Sequence, residues 1–89
     1  MNAPLTKTEM QLLVTLKTPT VSLASISQQY LGLAPQRAHE YALINQLPFP
    51  TFRLTDSKRA PRMVYVSDLA AHIDSQHERA KETWTNSQV

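Results

Sequence analysis

Two short windows of this sequence hold side chains of the types and spacing needed to grip a nucleic acid. Gln36, Arg37, His39 and Glu40 fall in the first. An arginine can donate two bonds to guanine and a glutamine can pair with adenine, while histidine and glutamate can touch base edges or phosphates. Arg53, Lys58, Arg59 and Arg62 fill the second window. Lys58, Arg59 and Arg62 suit phosphate oxygens and would supply affinity that falls with added salt, and Arg53 would extend the patch and stack on Tyr65. Between positions 53 and 62 these cations are offset only by Asp56, a local balance of +3 against +2 for the whole chain. The rest of the sequence is therefore slightly acidic. The competing reading is that a charged loop merely stays solvated.

Other chemistry finds less support. His72 and His77 are five positions apart and would point in different directions on a helix, which is not the four-residue spacing of a helical zinc site, so no metal is expected. Asp68 and Asp74 are accounted for by a helix start and a solvated face, and no serine lies in a nucleophile elbow. A single glycine leaves no loop to cradle the phosphates of a cofactor. The sequence thus points away from an enzyme and from any bound cofactor. Zero cysteines exclude disulfide staples and fit a reducing compartment, the cytoplasm. The amino-terminal run MNAPLTKTEMQLLVTLK carries neither a secretory signal nor a membrane span.

The elements that must position these windows follow from length and punctuation. With 89 residues, 42% of them hydrophobic and 18% charged, the chain is one small globular domain over 1–89 with a modest core. Residues 1–8 read as a loose start. Thr8 could open a helical turn with Met10, Leu12, Leu13 and Leu16 as its apolar side, and a strand through Leu12 to Leu16 is the alternative; period alone does not settle residues 9–16. Lys17-Thr18-Pro19-Thr20 breaks that segment. From Ser22, a plausible cap, Leu23, Ile26, Tyr30 and Leu31 recur at helical spacing, and Gly32 stands where a left-handed stop belongs. Pro35 suits the first position of a second helix, PQRAHEYALINQ. Its Ala38, Tyr41, Ala42 and either Leu43 or Ile44 would face inward, with Gln36, Arg37, His39 and Glu40 outward. Asn45 is a credible left-handed stop before Leu47-Pro48-Phe49-Pro50.

Downstream, Phe52 and Leu54 alternate with Thr51 and Arg53, and Val64 and Val66 with Met63 and Tyr65, the period-two pattern of two strands. The polar segment 55–62 between them makes a cationic hairpin loop. Ser67 could cap a last helix whose first turn holds Asp68. Helix, tight turn, helix, hairpin, helix is the order of a winged helix-turn-helix, an α+β fold with a two-stranded hairpin wing and a C-terminal helix. Small Ala38 and Ala42 would let the two short helices cross closely. An αα-corner that never touches DNA is the alternative.

The stretch LPFPTFRLTDSKRAPRMVYVSDLAAHID resembles the pyocin activator protein (PrtN) family, small bacterial and prophage-borne transcriptional activators. The shared features are the Leu47-Pro48 lead-in, the Arg53-Leu-x-Asp-Ser-Lys58 turn and the Val64-x-Val-x-Asp-Leu-Ala70 helix start. Leu12-Leu13 and the 21–30 segment look like the family's opening, so the resemblance spans roughly residues 10–80. More loosely, Gln46-Leu47-Pro48, the basic hairpin and Ser67-Asp68-Leu69 look like phage excisionases and MerR-type winged helices, with Asn45 in place of their glycine. Membership implies activation of bacteriocin or prophage genes.

The last helix should run from Asp68 toward Trp84, with Leu69, Ile73, Gln76 or His77, Ala80 and Trp84 in one stripe. Residues 78–89 would project or fray, and Trp84 could hold a second copy, making a homodimer that matches a repeated operator. Double-stranded DNA is the expected partner, and RNA polymerase or an integrase the expected protein contact, according to whether the chain is an activator or a recombination directionality factor. A module that binds only protein through the hairpin and the Trp84 helix is a third reading. The DNA reading requires Gln36 and Arg37 to face the same way as the tip at 58–62.

Overall fold

Val21 and Val64 meet in the middle of a two-stranded antiparallel sheet drawn from distant parts of the chain. The structure, a computed structural model, describes residues 5–88. Strand β1 (Thr20–Ser22) lies between helices α1 (Lys7–Leu16) and α2 (Leu23–Ile26), α3 is Pro35–Leu43, and strand β2 (Met63–Tyr65) leads straight into α4 (Val66–Asn86). Among the described residues this is a small α+β arrangement of four helices and one two-stranded sheet. Part of the expected loose start at 1–8 lies outside the described residues, as does Val89 at the end of the 78–89 segment; Lys7 and Thr8 are helical.

Residues 9–16 are helix and not strand. The Thr6 hydroxyl, rather than Thr8, caps α1 by accepting from the Glu9 amide at 3.0 Å, and the Thr-x-x-Glu spacing is that of a capping box. Thr8 instead donates its hydroxyl to the Asp74 carboxylate on α4. Asp74, expected to be merely solvated, therefore ties two helices together. Since Pro19 beyond the end of α1 accepts from the Val66 amide at the start of α4, α1 and α4 run antiparallel.

The helix expected between Ser22 and Gly32 forms over that range but is regular only in its first 4 residues, Leu23–Ile26. Ser22 caps α2 at the Ser25 amide, as its position suggested, but after Ile26 the backbone widens into a π turn over Ser27–Leu31. Gly32 then ends it at φ 67°. Ala38 and Ala42, both buried, join Leu23 and Ile26 in the core, so the small side chains let α3 lie close to α2. Asn45 takes the left-handed conformation at φ 54°, as expected of it.

Three expectations fail in this region. Leu43 and Ile44 are exposed, because α3 ends at Leu43 and Ala42 already fills the inward position. Leu54 is exposed as well, because the first hairpin arm is not a strand: only Phe52 pairs with Met63, through two bonds of 3.1 and 2.7 Å. Continuing that register sets Pro50 opposite Tyr65 and Leu54 opposite Pro61, and each proline lacks the N–H that the next rung needs. The strand partner of β2 is β1, on its other edge. Finally, Ser67 does not cap α4, whose N-cap is Tyr65 with no side-chain bond. The sheet supplies what a cap would, since the Pro19 carbonyl accepts from the Val66 amide at 2.8 Å.

Val64, Val66 and Leu69 are fully buried at the centre of the core. Phe49 closes one side, its ring edge-on to His72 at 5.9 Å between centroids. From Ser75 to Gln88 every residue of α4 and its end is exposed, Trp84 included. Among the described residues no helix is long and apolar enough to cross a membrane.

Candidate nucleic-acid interface

The second cationic window folds into an irregular loop around Ser57. The Ser57 amide donates to the Thr55 hydroxyl, the Ser57 hydroxyl accepts from the Arg59 amide, and the Ser57 carbonyl accepts from Ala60. Arg53 reaches the same carbonyl through Nη1 at 3.4 Å, so it braces the loop. It does not stack on Tyr65 as expected; Phe52 occupies that face, with ring centroids 5.0 Å apart. Arg62 is half-buried, with Nη1 at 3.5 Å from the Thr51 hydroxyl, while Lys58 and Arg59 are exposed. Among the described residues the ion pairs are Arg37–Glu40 and Glu78–Lys81, so no loop cation is held in an ion pair, and Asp56 is the one acid in the segment.

The loop and α3 face each other across a cleft of about 240 Å³. Pro35 and His39 form its helical wall, Lys58 to Arg62 its loop wall, and Leu23 and Ala24 its floor. This juxtaposition has a simple origin. Leu23 at the start of α2 donates its amide to the carbonyl of Arg62 at 2.8 Å, so the sheet brings the end of the loop against the helix pair.

Around α3, at about 100° per residue, Ala38 and Ala42 turn into the core, Tyr41 is only half-buried beside them, and Gln36, Glu40 and Leu43 form the outward crest. His39 lies on the flank toward the cleft. Arg37 is on the other flank, about 160° round from His39. Its guanidinium sits 3.9 Å from Glu40 and 5.7 Å from the centroid of the Tyr41 ring. The structure thus brings His39 together with Lys58, Arg59 and Arg62 and sets Gln36 and Glu40 on the adjoining crest, but it holds Arg37 apart from the loop, against Glu40 and Tyr41; the common facing expected of Gln36 and Arg37 with the tip at 58–62 therefore fails for Arg37, and His39 takes its place beside the loop. Trp84, on the exposed end of α4, belongs to neither surface.

Sequence reading missed Leu43, which shares the crest with Gln36 and Glu40. The signal was present in the helical period, since an outward angle is fixed once Ala38 and Ala42 are set inward. Nothing in the sequence marked Leu23 and Ala24 as the floor of the cleft.

No curated protein and no solved structure matches this chain. A family model described as pyocin activator protein PrtN matches residues 8–80, from the second residue of α1 to about two thirds of the way along α4, including both walls of the cleft. The chain belongs to the pyocin activator protein PrtN family.

Proposed function

We propose that this protein is a sequence-specific DNA-binding transcriptional activator of pyocin or related prophage genes, acting in the cytoplasm as a winged helix-turn-helix. In this reading α2 and α3 are the helix pair, α3 enters the major groove, and the 53–62 loop is an irregular wing on the adjacent backbone. One observation carries it: His39 on α3 lines the same cleft as Lys58, Arg59 and Arg62. A phosphate strand running along that cleft would meet three cations that no ion pair holds, which supplies affinity without sequence preference.

Sequence preference would come from the crest. Gln36 can pair with adenine, Glu40 can accept from cytosine, and Leu43 can lie on a thymine methyl group. Arg37, on the far flank, has the reach for a guanine or for the phosphate of the opposite groove wall. Self-association through the exposed Trp84 face of α4 would set two such units on a repeated site.

The test is a mobility-shift series with DNA from upstream of the gene itself, an attachment site and an unrelated fragment. Selective retardation of upstream DNA, with transcription from it raised in a purified system, is the expected result. Selective retardation of the attachment site would turn the reading to a recombination factor, and no shift of any fragment would leave a protein-only module.

A further inference from the structure

Val14 is 75% exposed, the highest value among the large hydrophobic side chains of the described residues. It stands about 160° around α1 from the buried Leu12, where an amphipathic helix ordinarily carries charge. Met10, one turn before it, is 48% exposed on the same ridge. Valine is also a poor helix former, so neither packing nor local propensity explains its place at this position. The two are framed by lysines, Lys7 one turn before Met10 and Lys17 just past the end of α1. Glu9, the one anion of the helix, lies about 140° away from Val14.

We propose that this ridge of Lys7, Met10, Val14 and Lys17 is a docking surface for an acidic, apolar segment of another protein, and that in an activator this partner lies on RNA polymerase. The inference rests on the activator reading above. The charges select the occupant. A second copy docking through the same ridge would bring four lysines together with no acid between them, whereas an acidic segment meets both lysines and covers both apolar side chains. The position fits as well. α1 packs on α4 and contributes nothing to the cleft between α3 and the loop, so the ridge stays free when that cleft holds DNA.

The test titrates purified RNA polymerase holoenzyme onto the full chain without DNA, using the wild type, Val14→Glu and Lys7→Glu, with a mobility shift on upstream DNA run in parallel. Wild type should bind, and Val14→Glu should lose roughly tenfold or more in affinity, the effect of losing an apolar anchor and adding a like charge. Lys7→Glu should lose less and show a flatter salt dependence. Both variants should shift DNA as wild type does. Lys7 is exposed in the first turn, so its variant still decides if Val14→Glu lowers the melting temperature. Failure of the wild type to bind polymerase, or equal binding by both variants, overturns the docking surface. Retained polymerase binding with no DNA shift overturns the DNA reading instead.

Discussion

Neutralising the loop is the perturbation whose magnitude the structure sets most directly. In Lys58→Ala/Arg59→Ala/Arg62→Ala three cations leave one wall of the cleft. Each phosphate contact contributes about 0.9 to the slope of log affinity against log salt. Lys58 and Arg59 are exposed and make no ion pair, so each counts in full. Arg62 spends one N–H on Thr51 at a long 3.5 Å and keeps the others, so it counts too. The slope should flatten by about 2.7 per bound protomer. Between roughly 50 and 200 mM salt the wild type should therefore lose about 40-fold more affinity than the variant. The loop should keep its shape, because its bonds around Ser57 run through the main chain, Thr55 and Arg53. Fluorescence anisotropy of a labelled duplex across a salt series measures both quantities. A slope change below about 1, or a loss confined to one DNA sequence, would refute the assignment of these side chains to phosphates.

Further expectations concern the helix pair, the crest and α4. Ala38→Leu adds bulk at a fully buried contact between α2 and α3 and should destabilise by about 1–3 kcal/mol, read as a lower denaturant midpoint, with DNA binding reduced through displacement of α3. Leu43→Ala should cost roughly 1 kcal/mol of binding on a selected site that carries a thymine at the contacted position. Deoxyuridine at that position should cost the wild type as much and the variant nothing more; additive losses would remove Leu43 from the groove. Sedimentation equilibrium of Trp84→Ala beside the wild type tests self-association, and an unchanged mass takes Trp84 out of any interface.

Features governed by neighbouring residues were legible in the sequence. Gly32 and Asn45 end their helices in the left-handed region, Pro35 opens α3, and Ser22 caps α2, since each follows from a backbone constraint within a few residues. The sheet was not legible in the same way. β1 has three residues, too few to show a period, and its partner lies some forty positions on. The alternation at 51–54 suggested a hairpin arm, and the prolines at 50 and 61, visible throughout, explain why only Phe52 pairs. The two windows that define the candidate site were found by residue type alone. Their proximity at His39 depends on the bond from Leu23 to Arg62, which no local pattern announces.

The pairing of β1 with β2 also bears on how the molecule comes into being. The contacts that seat α2 and α4 span almost the whole stretch from Pro19 to Val66, so loop closure must precede their reward. A nascent chain that has emerged only as far as Arg62 has its helix pair but no second strand to receive it. The surfaces assigned to DNA therefore have no way into register before Met63 to Val66 have been made, and a product truncated before them would lack the partner that holds the loop against α3.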